Sequence, residues 1–175
     1  MELEEDILKH KEEAKDYISL VNKLTNEQTV NLDKLISDIA NLLKTPEEQL
    51  EISVLQPYYL KLSIELYMMV DKLKQFEIYS SLAKSNETEA YNSNYIAESI
   101  AYDKKPSATE LQIRAEIKAK KESLINTIYL SAFRTIKNKI DAGNSIADTL
   151  KNIMKTKCNV EYSSNQLDNI NTTRG

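Results

Sequence analysis

Side chains able to catalyse reactions or bind metals are few in this sequence. His10 is the single histidine and Cys158 the single cysteine, and they stand far apart. A zinc site needs several such ligands at short spacings, and a catalytic thiol needs a basic neighbour. Carboxylate pairs such as Glu47 and Glu51 arise on any acidic helix, and the two glycines of the chain do not make a phosphate-binding loop. We therefore expect a protein that is not an enzyme and that holds no metal or other cofactor.

Basic side chains offer a different chemistry, the neutralisation of phosphates. Residues 108–157 contain more basic than acidic residues, whereas residues 1–53 are strongly acidic. Cations spaced along a surface bind nucleic-acid backbones without reading the base sequence. The candidate nucleic-acid-binding residues are Lys118, Lys120, Lys121, Arg134, Lys137, Lys139, Lys151 and Lys155. The alternative is that a basic helix simply packs beside an acidic one.

Three tyrosines provide a second candidate contact with nucleic acid. Tyr91, Tyr95 and Tyr102 fall roughly on one helical face, where their rings could stack on unpaired bases. The alternative is that the rings pack on the core and leave their hydroxyls at its rim.

Composition bounds the class of protein and its compartment. The chain has 175 residues, of which 41% are apolar and 29% charged, and this is enough for one sizeable core. No apolar run reaches the roughly 18 residues of a membrane span, and the acidic start is unlike a signal peptide. A single cysteine fits a reducing compartment. We expect a cytoplasmic protein without membrane contact. The Asn, Lys and Ile usage is typical of AT-rich genomes, which include those of many phages, and if a phage encodes the protein, the compartment is the host cytoplasm.

Scarce glycine and proline favour a few long helices over many short elements. Apolar residues at spacings of three and four predict a helix over residues 2–23, and Thr25 with Gln28 resembles the capping box of a second helix. Residues 1–44 are thus predicted to form an acidic helical hairpin. A third helix is predicted to begin at Pro46 and to kink or end at Pro57.

The segment from Tyr58 to Ala83 is unusually apolar for a single helix. Its main stripe comprises Leu62, Leu66, Met69, Leu73 and Phe76. A second set, Leu60, Ile64 and Tyr67, widens this stripe. A helix that is apolar around so much of its girth is expected to be central and contacted on more than one side. The polar residues 84–94 are expected to form a less regular segment after this helix.

The C-terminal part is predicted to contain one long helix over about residues 108–142. Ser107 and Glu110 form a capping box at its start, and Gly143 stands where a left-handed C-cap would end it. Ser145 with Asp148 would begin a last short helix, and residues 158–175 are polar enough to form a flexible, disordered tail. The expected fold is an all-α, elongated bundle of five to seven helices. It forms a single domain over residues 1–157, with its main helical part at 58–157, and open apolar seams favour a homo-oligomer.

Residues 58–155 resemble the phage UvsY-type recombination mediators in pattern. The resemblance is carried by the helix that ends in YSSLAK, by the long helix ELQIRAEIKAKKESLINTIYLSAFRTIKNKI, and by the short segment SIADTLKNIMK after Gly143. It implies a helical, oligomeric and non-enzymatic protein that binds single-stranded DNA and helps to load a recombinase. The acidic residues 1–44 have no counterpart in that family.

Two functions are therefore expected from the sequence. The first is a non-enzymatic, oligomeric helical phage accessory protein that binds single-stranded DNA or its coating proteins in recombination or replication. The alternative is a structural or protein-interaction module, such as a virion component, a scaffold or an inhibitor of a host protein, that binds no nucleic acid.

Overall fold

The structure is a computed structural model that describes the backbone of residues 2–101 and 106–172, and the side chains of residues 11–12, 14–101 and 106–160. It contains four α-helices: α1 (Glu2–Leu42), α2 (Ile52–Ile100), α3 (Ala108–Lys118) and α4 (Lys120–Thr172). A single 3-10 turn, Glu47–Gln49, precedes α2. The all-α prediction is confirmed and the described chain contains no strand, but the predicted five to seven helices are reduced to four.

The predicted hairpin over residues 1–44 is wrong because α1 runs through its expected turn. Thr25 is fully buried within the helix, and its Oγ1 donates a hydrogen bond to the Val21 carbonyl at 2.9 Å. A threonine can satisfy its hydroxyl on the carbonyl four residues earlier, so it need not cap a new helix. Without glycine or proline in this segment, nothing forces the chain to turn.

Helix α2 likewise absorbs both of its predicted interruptions. Pro57 lies near the start of the helix, where its missing N–H deprives only the Ser53 carbonyl, and the helix continues. The polar residues 84–94 are also helical. Ser81 donates to the Glu77 carbonyl at 2.9 Å and Thr88 to the Lys84 carbonyl at 3.0 Å. These hydroxyls are satisfied inside the helix instead of competing with it.

The start of the C-terminal helical region agrees with the sequence prediction, but its course does not. Ser107 caps α3, and its Oγ accepts the N–H of Glu110 at 3.2 Å. The predicted helix over 108–142 is interrupted at Ala119, whose φ of −86° and ψ of 4° lie outside the regular helical range. From Lys120 onward, α4 then continues to Thr172.

Gly143 does not end a helix. No residue in the described part of the chain has a positive φ, so the predicted left-handed cap is absent there, and α4 passes straight through Gly143. Ser145 likewise starts no helix, since its Oγ donates to the Asp141 carbonyl at 3.1 Å. A Cβ placed on Gly143 would lie 2.7 Å from Leu66 Cδ2 and 3.5 Å from Leu32 Cδ1. The glycine therefore lies in close contact with Leu66, and a side chain there would require the end of Leu66 to move.

The chain divides into two compact units. Unit 1 comprises Met1–Gln28 and Asp71–Lys137, and unit 2 comprises Thr29–Val70 and Asn138–Gly175. Large aliphatic side chains fill the core of unit 2, namely Leu32, Ile39, Leu50, Leu55, Leu62, Leu66, Met69, Ile140 and Leu150. Small residues predominate in the core of unit 1, namely Ala83, Ala115, Ala119 and Ala132, together with Phe76, Leu111 and Ile136.

Candidate protein-interaction face on helix α2

The structure separates the predicted nucleic-acid-binding residues into two groups. Unit 1 contains Lys118, Lys120, Lys121, Arg134 and Lys137, and unit 2 contains Lys139, Lys151 and Lys155. Each unit as a whole has more acidic than basic residues. Neither unit therefore carries the excess positive charge that is typical of a phosphate-binding surface.

Two of the predicted cations are already paired with carboxylates of the same chain. The ammonium of Lys118 lies 2.5 Å from Glu98 Oε1. In unit 2 the ammonium of Lys139 lies 2.5 Å from Asp33 Oδ2 and 2.8 Å from the hydroxyl of the buried Thr29. Bound in this way, each lysine has a structural partner that a phosphate would have to displace.

Glu98 is the centre of an ion-pair cluster that holds α3 against α2. Its side chain is buried, and Arg114 Nη1 lies 3.4 Å from Oε2 while Lys118 holds the other oxygen. Hydrogen bonding from Lys118 lowers the pKa of Glu98, and Arg114 adds to the effect against the opposing influence of burial. Arg114 Nη2 also lies 2.6 Å from Glu110 Oε1, so two carboxylates balance the two cations, and this geometry indicates a structural role.

Glu87 plays a similar part between α2 and the start of α4. Its Oε2 accepts a hydrogen bond from Asn126 Nδ2 at 2.7 Å and lies 3.0 Å from Lys84 Nζ. Hydrogen bonds from Ser123, Lys84 and Asn126 lower the pKa of this carboxyl group. A carboxylate held ionised by three donors is a poor general base, because such a base requires a pKa near the working pH.

The tyrosines predicted to stack on bases are only partly available. Tyr91 and Tyr95 are half-buried, and their ring centroids lie 6.3 Å apart at an interplanar angle of 30°. Tyr102 lies outside the described residues. The two described rings thus contact each other, which agrees better with packing than with an open stacking platform.

None of the described side chains forms a group of three or more His, Cys, Asp or Glu residues suited to a metal ion. The thiol of Cys158 is exposed and free. No helix among the described residues is long and apolar enough to cross a bilayer.

The distinctive surface lies on α2 within unit 2, and we call it the α2 face. Four apolar side chains form it, with exposed fractions of 52% for Leu60, 61% for Ile64, 80% for Tyr67 and 56% for Met68. Leu60, Ile64 and Met68 follow one another at one helical turn. Ile64 is two residues, and thus about half a turn, from both of the buried residues Leu62 and Leu66. The α2 face therefore points away from the core.

The sequence indicated these residues but assigned them to the wrong environment. Leu60, Ile64 and Tyr67 were expected to widen a stripe that is contacted on several sides. In the structure, the core covers α2 on the side of Leu62 and Leu66 and leaves the opposite side in solvent. The main stripe is buried as expected, but the expected second contact, on the side of Leu60, Ile64 and Tyr67, is absent among the described residues.

The α2 face borders a groove between α2 and α4 in unit 2. Tyr67 and Val70 contribute its α2 wall, and Ile140 and Ala147 contribute apolar surface from α4. Asp148 and Lys151 also line the groove, so its lining carries one charge of each sign. A mixed polar and apolar lining without excess positive charge suits a protein partner better than a polyanion.

No protein-family model, no curated protein and no solved structure matches this chain. The resemblance to the recombination mediators therefore stays a prediction, and the surface chemistry of the helices carries the functional argument.

Proposed function

We propose that this chain is a non-enzymatic, helical protein-interaction module that binds another helix through its α2 face. The observation that carries the proposal is the concentration of exposed Leu60, Ile64, Tyr67 and Met68 on one side of one helix. Single exposed apolar residues are common on protein surfaces, but contiguous patches mark interaction sites.

The energetics support such a role. Covering a large apolar side chain stabilises a complex by about 1.5–3 kcal/mol before the costs of association are subtracted. Residues one turn apart along a helix suit a helical partner, which inserts its own apolar side chains between them. Tyrosine is also among the residues that contribute most to binding when an interface covers them.

Single-stranded DNA binding remains the second proposal, and it has less support. Its candidate residues are divided between two units that are each more acidic than basic, and Lys118 and Lys139 already have carboxylate partners. A DNA-binding role requires the remaining cations to act without a basic surface around them.

Photo-crosslinking from Tyr67 tests the interaction face directly. A benzoylphenylalanine at position 67 is irradiated in the cells that naturally make this protein, and the adducts are identified by mass spectrometry. We expect one protein to dominate the adducts, and we expect Ile64→Lys to reduce its yield at least tenfold, because a charge then occupies the centre of the face.

The matched control carries the same photoreactive residue at Ile100, which is 76% exposed and lies in unit 1. Equal yields of the same adduct from both positions would contradict the proposal, and so would an adduct at position 67 that is insensitive to Ile64→Lys.

A further inference from the structure

The α2 face is self-complementary when one copy is reversed against another. Leu60 and Met68 lie about 6 Å before and after Ile64 along the helix, at 1.5 Å per residue. A twofold axis beside Ile64 therefore brings Leu60 opposite Met68 of the second copy and Ile64 opposite its own equivalent. Isologous interfaces require this kind of palindromic patch.

The charges beside the face fit the same arrangement. Lys61 and Glu65 flank the face on one side, one turn apart, and neither forms an ion pair within the described residues. In an antiparallel pair related by that twofold axis, each flank lies beside the same flank of the other copy. Lys61 then stands within about 3 Å, measured along the helix axis, of Glu65 of the second copy. The contact occurs twice by symmetry.

Parallel pairing lacks this complementarity. A twofold axis parallel to the helices places the flank of Lys61 and Glu65 beside the opposite flank, where α2 has Ser63 and the apolar Val70. Both charges would then remain unpaired at the edge of an apolar contact, which is unfavourable. The charge pattern therefore selects the antiparallel arrangement.

We propose that the occupant of the α2 face is a second copy of this chain, docked antiparallel about Ile64 and fixed in register by two reciprocal Lys61–Glu65 pairs. The inference rests on the proposed function, since it names the partner of the same face. It accounts for an amphipathic helix with two apolar sides, one of which packs within the chain while the other packs between copies.

Charge reversal tests the register. Lys61→Glu places carboxylates opposite each other in the homodimer, and Glu65→Lys places ammonium groups opposite each other. Exposed ion pairs contribute little individually, but reversing two of them makes both repulsive. We expect each single variant to raise the dimer dissociation constant about tenfold or more, as measured by light scattering over a concentration series.

Mixing the two single variants is the decisive measurement. In the mixed dimer, each Glu on one copy faces a Lys on the other, so we expect a dissociation constant close to that of the unaltered chain. Contacts within each chain are the same before and after mixing, which excludes an effect on folding. A mixture that associates no better than the separate variants would overturn the antiparallel register.

The failure of this inference is distinguishable from failure of the proposed function. If the unaltered chain is a monomer at every concentration, the second copy is not the occupant. An adduct with another protein from position 67 would then leave the interaction face standing, whereas no adduct at all would remove both.

Discussion

Gly143 shows most clearly how one residue can be explained in two ways. By sequence it stands after a long helical pattern, as a left-handed cap would. In the structure it is buried inside α4, and the side chains of Leu66 and Leu32 lie 2.7 and 3.5 Å from the position that a Cβ would take. Glycine suits both roles because it lacks that atom, and only the packing of α4 against its neighbours distinguishes them.

Substitutions at Gly143 distinguish the two roles. A left-handed cap tolerates asparagine better than alanine, whereas a crowded helix interior tolerates alanine better than asparagine. We expect Gly143→Ala to be more stable than Gly143→Asn in thermal melts. Alanine favours a helix interior over asparagine by up to about 1 kcal/mol, and the end of Leu66 can rotate away from the new Cβ. If the asparagine variant were the more stable of the two, the left-handed cap at Gly143 would be supported instead.

A larger side chain at the same position should be costly. We expect Gly143→Val to lower the free energy of unfolding by about 1–3 kcal/mol, because it overpacks the contact with Leu66. Leu66→Ala relieves that crowding, so it should cost less stability in the valine background than in the unaltered chain. Additive effects in denaturant titrations would argue against direct contact.

At the scale of the helices, polar contacts decide where elements begin and which neighbours they hold. Ser107 fixes the start of α3, and the cluster around Glu98 then holds α3 on α2. In unit 1, the ammonium of Lys72 on α2 donates to the Gln28 carbonyl of α1 at 2.9 Å. The Ser107 cap is local, but Arg114 lies 16 residues from Glu98 and Lys72 lies 44 residues from Gln28, so local pattern does not reveal these two contacts.

The Glu98 cluster predicts a specific dependence of stability on pH. The folded-state pKa of Glu98 is lowered from 4.5, so its contribution is complete above the unfolded value and is lost as pH falls through the folded value. We expect Glu98→Gln to be less stable than the unaltered chain at pH 7. The two melting temperatures should converge on acidification below about pH 4.5.

Glu77→Gln is the control for that experiment, because Glu77 forms an exposed pair with Lys74 on the same helix. This variant should follow the pH profile of the unaltered chain closely, since surface pairs contribute little. If Glu98→Gln and Glu77→Gln behaved alike, the buried cluster would have no special part in stability.

At the scale of the whole chain, the distribution of charge bears on nucleic-acid binding. The acidic residues of α1 and the basic residues of the C-terminal half are combined in both units, and each unit remains more acidic than basic. The asymmetry along the sequence is thus largely compensated within the units. Asp33 with Lys139 in unit 2 is a direct example.

This compensation predicts weak binding to single-stranded DNA. In fluorescence anisotropy with a labelled oligonucleotide, we expect no saturable binding at about 150 mM salt, because phosphate contacts are screened and each unit carries more acidic than basic residues. Lys120→Glu and Lys155→Glu should not alter the signal. Micromolar affinity that these substitutions abolish would instead support the DNA-binding proposal.

Helix formation and the interior stripe of α2 followed from the sequence alone. The scarcity of glycine and proline, the periodic apolar residues and the Ser107 cap are local properties, so they are legible in one chain. The ends of α1 and α2 could not be predicted from the sequence. The hydroxyls of Thr25, Ser81 and Thr88 can be satisfied as well inside a helix as at its end.

Tertiary structure decided which apolar side chains the chain itself covers. Leu62 and Ile64 are both apolar residues of one helix, yet the first is fully buried and the second is 61% exposed. Their difference depends on where α1 and α4 lie, which is a matter of contacts distant in sequence. The same contacts place Leu66 against Gly143 and Lys139 beside Asp33. Periodicity determined the broad apolar stripe of α2, and packing determined which of its side chains remain exposed.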